Sequence, residues 1–201
     1  MFDMSTRRLF ALYLGLILFG VSVALMVRAD LGLDPWDVLH QGLARRTGIG
    51  LGWIVIAVGA LVLLAWLPLR QRPGLGTVSN VVVVGLTAQA ALAVVPDPHP
   101  LGVRLALLVL GIVANGAATG LYIGAGLGPG PRDGLMTGLA ARGLQIRWAR
   151  MGIELSVLAV GWLLGGTVGV GTVVYALSIG PLAQFFIRRF HIIDRKVSFN
   201  G

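Results

Sequence analysis

Long apolar runs along the chain are broken by short polar or Gly/Pro-rich stretches. Six runs stand out, at about residues 9–28, 51–69, 77–95, 103–124, 151–168 and 170–187. Each is close to the roughly 20 apolar residues that a helix needs to cross a bilayer core. Two shorter amphipathic segments sit between the runs and open at Pro35 and Pro131. In the first, Trp36, Leu39 and Leu43 share one helical face, and Asp37, Gln41 and Arg45 share another. In the second, Leu135, Met136 and Leu139 make the apolar face, and Asp133 and Thr137 the polar one. Gly48-Ile49-Gly50 ends one segment and Gly143 the other. At about 12 residues each they are too short to cross, which suits re-entrant or interfacial half-helices.

The pattern occurs twice. With the chain slid by 96 residues, residues 14–44 match residues 110–140 at 13 of 31 positions. Leu31-Gly32, Pro35, Asp37 and Leu39 meet Leu127-Gly128, Pro131, Asp133 and Leu135. After a one-residue slip, Gly74-Leu75-Gly76-Thr77-Val78 meets Gly169-Val170-Gly171-Thr172-Val173, and Gln89 meets Gln184. The expected organisation is a first three-span unit over residues 1–100, a second over 101–190, and a short basic cytoplasmic tail over 191–201. Three crossings is an odd number, so the second unit would be inverted in the membrane relative to the first. Inverted repeats of this kind are common in secondary transporters. The expected fold is therefore an all-α integral membrane protein with six transmembrane helices, each repeat carrying a half-helix after its first span.

Composition agrees with the pattern. Hydrophobic residues make up 56% of the 201 and charged residues only 12%, and mean hydropathy is +0.87. So few charges cannot clothe a water-soluble globule, and so apolar a chain is not disordered. The 30 glycines suit close helix packing. With no cysteine there is no disulfide or thiolate site. The net charge of +8 is spread over the ends of the apolar runs and forms no stripe, which argues against nucleic-acid binding. If all six runs cross, twelve bases lie on the side of the N-terminus, Arg195 and Lys196 among them, and Arg28, Arg45, Arg46 and Arg104 lie on the other. That bias predicts both termini in the cytoplasm. Trp53, Trp66, Trp148 and Trp162 fall near span ends, where interfacial anchors are expected.

The Leu-Gly-x-x-Pro-x-Asp turns carry the candidate chemistry. Asp34 suits an N-cap, Pro35 the first helical position, and Asp37 the first turn, where a carboxylate caps N–H groups and meets the helix dipole. Gly130, Pro131 and Asp133 stand in the same places in the second copy. Capping explains these residues without a ligand. The sharper expectation is that both helix starts are buried and bind a substrate, proton or cation. On it Asp37, Asp133, Asp34, Arg132, Gln41, Thr137 and Asn115 are the binding candidates, and Gly32, Pro35, Gly128 and Pro131 shape the turns. Arg132 is expected to neutralise its neighbour Asp133 and to leave Asp37 as the titrating acid.

The remaining polar residues have plainer readings. Asn115 is expected to bridge packed helices, as are Gln89 and Gln184. Glu154 is expected to pair with Arg150 one turn before it. Gly116, Gly120 and Gly124 make a small-residue packing stripe. His40, His99 and His191 share no metal spacing and read as interfacial or loop histidines. No P-loop, HExxH or Gly-x-Ser-x-Gly occurs. Residues 132–142 faintly resemble the Asp-Gly-x-x-Ala-Arg motif of phosphatidyl-alcohol transferases, but the paired downstream aspartates are missing. An enzyme is not expected, nor is a metal or other cofactor.

At residues 29–37 and 126–135 the chain resembles the bacterial YczE/YyaS/YitT membrane-protein family, over about residues 10–190. The YczE-type branch fits best, because the soluble C-terminal domain of YitT-type members has no counterpart after residue 187. The resemblance implies a bacterial inner-membrane protein and no particular substrate. The function expected from the repeat is small-solute transport by alternating access. The alternative is a non-transporting scaffold or regulator of another membrane system. The expected partners are the lipid bilayer and an unidentified small molecule or ion, and homo-oligomerisation is compatible with this reading.

Overall fold

A computed structural model describes residues 4–98 and 100–190. It is all helical among these residues: α1 (Met4–Ala29), α2 (Pro35–Thr47), α3 (Leu51–Leu69), α4 (Leu75–Val94), α5 (Leu101–Gly124), α6 (Pro131–Ala140), α7 (Ile146–Leu163) and α8 (Val170–Arg189). The expected tail, with Arg195, Lys196 and His191, lies outside the described residues, and so does His99.

Five helices are long and apolar enough to cross a membrane: α1, α3, α4, α5 and α8. Helix α7 falls short of that standard. It begins at Ile146, before the apolar run, and so adds Arg147 and Arg150 to the Glu154 that lies within the run. It ends at Leu163 because Gly165 turns the chain with φ +97°. Large apolar side chains such as Leu64, Leu110, Leu155, Leu177 and Phe185 cover the outer surface. So much exposed hydrocarbon is untenable in water and suits lipid.

Helices α1 and α5 pack against each other most extensively, with α4 against α1 and α8 against α5. Each short helix packs on a long helix from the other half of the chain, α2 on α7 and α6 on α3. The contact of α5 with α8 runs along the Gly116–Gly120–Gly124 stripe. A Cβ added at Gly120 would lie 2.6 Å from Phe186 Cβ and 2.7 Å from its carbonyl carbon, so only glycine admits this approach.

Several contacts recur between the halves. Arg8 donates from Nε to Ala125 O at 2.8 Å and from Nη2 to Gly126 O at 2.7 Å. Arg104, 96 positions later, donates from Nε to Ala29 O at 2.8 Å and from Nη2 to Asp30 O at 2.6 Å. Likewise Gly76 N–H donates to Leu127 O at 2.8 Å, and Gly171 N–H to Leu31 O at 2.7 Å. Gly32 and Gly128 make these seams possible. Their φ values of +113° and +121° suit glycine alone, and each presses against the Gly-Thr turn of the other half.

Three of the four tryptophans expected at span ends, Trp53, Trp148 and Trp162, are exposed as interfacial anchors would be. Trp66 is not. It is buried, packs against Gly134 and donates its indole N–H to Pro131 O at 3.0 Å. Its place in the chain puts it near a span end, but α6 folds over that end and covers it.

Candidate functional site

Helices α2 and α6 begin beside each other. Pro35 and Pro131 are their first residues, with φ already set for a helix and no N–H to leave unpaired. Asp34 caps α2 as expected, its Oδ1 accepting from Trp36 N at 2.8 Å and Asp37 N at 3.0 Å. Gly130 stands at the matching position of α6 and brings no side chain.

Arg132 projects from the start of α6 across to the start of α2. Its guanidinium lies 3.5 Å from Asp34 Oδ1 and 3.5 Å from Asp37 Oδ1. It also lies over the indole of Trp36, 5.1 Å from the ring centroid, an attraction worth roughly 0.5–2 kcal/mol. The expected pairing of Arg132 with Asp133 does not form. Consecutive helical side chains diverge, and Asp133 instead accepts from Tyr122 OH at 3.1 Å. Asp37 lies fully buried behind Arg132 and makes no helix cap; its Oδ1 meets His40 Nδ1 at 2.9 Å.

Most of these residues edge a cavity of about 360 Å³, but Asp37 does not reach its lining. Asp34, Trp36, His40, Arg132 and Asp133 line its charged end, with Tyr122 and Tyr175 beside them. Valines of α3 and α4 line an apolar wall. This is the mixture that holds a small amphipathic solute: hydrocarbon for area and a few polar groups for orientation. The Arg150–Glu154 pair, 2.9 Å apart as expected, also faces the space. Asn115 lines it while bridging three helices, donating to Ser22 Oγ at 3.0 Å and accepting from Tyr175 OH at 3.3 Å.

Not every candidate converges here. Gln41 is buried away from the cavity and accepts from Thr167 N at 2.7 Å, which fastens α2 to the turn after α7. Thr137 is exposed and donates only to Gly134 O in its own helix, at 3.2 Å. Gly32 and Gly128 shape the seams and take no part in the lining. Gln89 accepts from Gly52 N at 3.0 Å and joins α4 to α3. His40 reverses the expectation of an interfacial or loop residue, since it is buried and faces the site. Its position three residues after Asp37 was the available signal, because that spacing puts both on one helical face.

Comparison with known proteins accords with this architecture. The model of DUF6198, a family of unknown function, matches residues 6–188. An uncharacterised membrane protein of Bacillus subtilis named YczE is 34% identical over 177 residues, covering 86% of this chain and 82% of that one. The chain belongs to the YczE/YyaS family. Its relatives include an uncharacterised protein of Haemophilus influenzae, 41% identical over 88% of this chain and 81% of its own. The B. subtilis protein YyaS is 25% identical over 87% of this chain and 89% of its own. No solved structure matches the chain. This YczE/YyaS member is accordingly a helical membrane protein with a cavity where its two short helices begin.

Proposed function

We propose that this YczE/YyaS protein is a secondary transporter of a small solute in the bacterial inner membrane, working by alternating access. In this reading α7 joins the other five long helices to make six spans, arranged as two inverted three-helix repeats, with both termini in the cytoplasm. The observation that carries the proposal is the cavity between the starts of α2 and α6, lined by Asp34, Arg132 and Asp133. Charged groups within a bilayer are costly, and they persist where they serve a pathway or a site. The reciprocal contacts of Arg8 and Arg104 support the repeat, and repeats of this type commonly bind substrate at the seam between them. Enzymatic turnover and nucleic-acid binding have no part in this reading.

The test is a thermal-shift screen of the purified protein against small metabolites, followed by uptake of any stabilising compound into proteoliposomes. A ligand that binds the native state raises its melting temperature. A compound that stabilises the protein and is taken up, with both responses lost in Arg132→Gln, supports transport. Binding without uptake would favour a regulator or scaffold.

A further inference from the structure

Two carboxylates share one cation at the start of α2. Asp34 and Asp37 both face Arg132, and all their protein contacts run through Oδ1: two backbone N–H groups on Asp34, His40 on Asp37, and the guanidinium on each. The second oxygen of each, Oδ2, is buried and meets no donor among the described residues. Arg132 lies 3.5 Å from both, longer than the roughly 2.7–2.9 Å of a tight charge-assisted bond. With both acids ionised the cluster carries one negative charge too many, on side chains about 2% and 0% exposed. Like carboxylates sharing a dry site do not both stay ionised at low cost. His40, 2.9 Å from Asp37 and about 3% exposed, could supply the missing charge only as an imidazolium, and burial disfavours that charged form. The remaining ionisable groups at hand do not supply it. Asp133, next to Arg132 on α6, is held by Tyr122 of α5, and Tyr175 of α8 is engaged with Asn115. Arg150 of α7 is paired with Glu154.

We propose that Asp34 and Asp37 form a proton-binding site that takes up one proton per chain. The proton comes from water and forms an O–H bond at an Oδ2, which leaves Arg132 paired with the remaining carboxylate. A metal cation fits less well, since hard divalent cations gather about six or more oxygens and this cluster has two to spare. Within the transport reading, on which only this step rests, the proton is the coupling ion. Asp34 lines the cavity, so the charge that solute meets there depends on whether the proton is bound.

Proton binding can be measured without knowing the solute. Infrared difference spectra of the purified protein, recorded between about pH 4 and pH 9, would follow the C=O band of protonated carboxyl groups. The expected result is one buried carboxyl titrating in the wild type and in Asp97→Asn, which alters an exposed acid. That signal should be lost in folded Asp34→Asn and Asp37→Asn, with folding checked by gel filtration; Asn keeps the cap at position 34. An unchanged signal in both variants, or a site that answers to sodium and not to pH, overturns the proposal. Proteoliposomes with an internal pH dye separate the two readings. Solute uptake without proton entry refutes coupling and leaves transport standing, whereas a proton site without any solute movement refutes transport and leaves the site standing.

Discussion

Arg132 stacks on Trp36, its guanidinium carbon 5.1 Å from the ring centroid, and the two residues hold the same position in the two copies of the repeated segment, 96 apart. A position at which the halves differ in chemistry is thus one at which they touch. A cation from one copy meets an aromatic ring and two carboxylates from the other.

Removing that cation should be costly. Arg132→Gln leaves Asp34 and Asp37 facing each other. Breaking a fully buried charged pair typically costs roughly 3–5 kcal/mol, and with Arg132 about 27% exposed the loss should fall below that. Converting Asp37 to Asn in the same molecule removes one of the two stranded acids. The double variant Arg132→Gln/Asp37→Asn should therefore melt higher than Arg132→Gln alone. Additive losses would mean that Arg132 does not act through Asp37.

Gly120 is pressed against Phe186, so Gly120→Leu should overpack the contact of α5 with α8. The expected loss is at least about 1–3 kcal/mol, seen as lower folded yield and melting temperature. Gly102 has open space around it at the start of the same helix. Gly102→Ala should be neutral or slightly stabilising. An equal response from the two positions would place the Gly116–Gly120–Gly124 face against lipid.

Trp66→Phe keeps most of the buried ring but deletes the N–H that meets Pro131 O at 3.0 Å. Pro131 O keeps the acceptor place it has within α6, so the loss is that of one hydrogen bond, roughly 0.5–1.5 kcal/mol. The loss should appear as a lower melting temperature, and as faster hydrogen exchange in α6 than in α4. Exchange that rises uniformly would argue that Trp66 supports the whole bundle and not the start of α6.

Orientation follows from charge. Reporter fusions after residue 46 should be extracytoplasmic, and fusions after residues 72 and 145 cytoplasmic. A cytoplasmic signal at residue 46 would remove the inverted arrangement of the two halves.

The parts of the structure readable from sequence are those set by local pattern. Helices α3 and α5 begin and end within two residues of the apolar runs, and α2 and α6 begin at the prolines that announce them. Asp34 caps as its type and place demand. What depends on how helices cross was not readable. Nothing local says that Arg132 turns away from its neighbour Asp133 toward acids almost a hundred residues distant, or that α6 covers Trp66. Thr137 and Gln41 share polar faces with Asp133 and Asp37 in the sequence pattern, yet their own side chains turn to the exterior and to the turn after α7. His40 could have been found, because a histidine one turn from an acid on a half-buried helix is already poised to meet it.

The crossed arginines set the order in which the protein can be made. The C-terminal carbonyls of α1 have no partners within their own helix; Ala29 and Asp30 receive theirs from Arg104. That residue leaves the ribosome only after three long helices have been synthesised. Arg8, among the first residues made, waits longer for Ala125 and Gly126. The seam between the halves therefore closes late, and a nascent chain halted near residue 98 would hold α1 with its C-terminal carbonyls still open. Two separately translated halves, cut in that loop, should complete each other, whereas either alone should be cleared as unfinished.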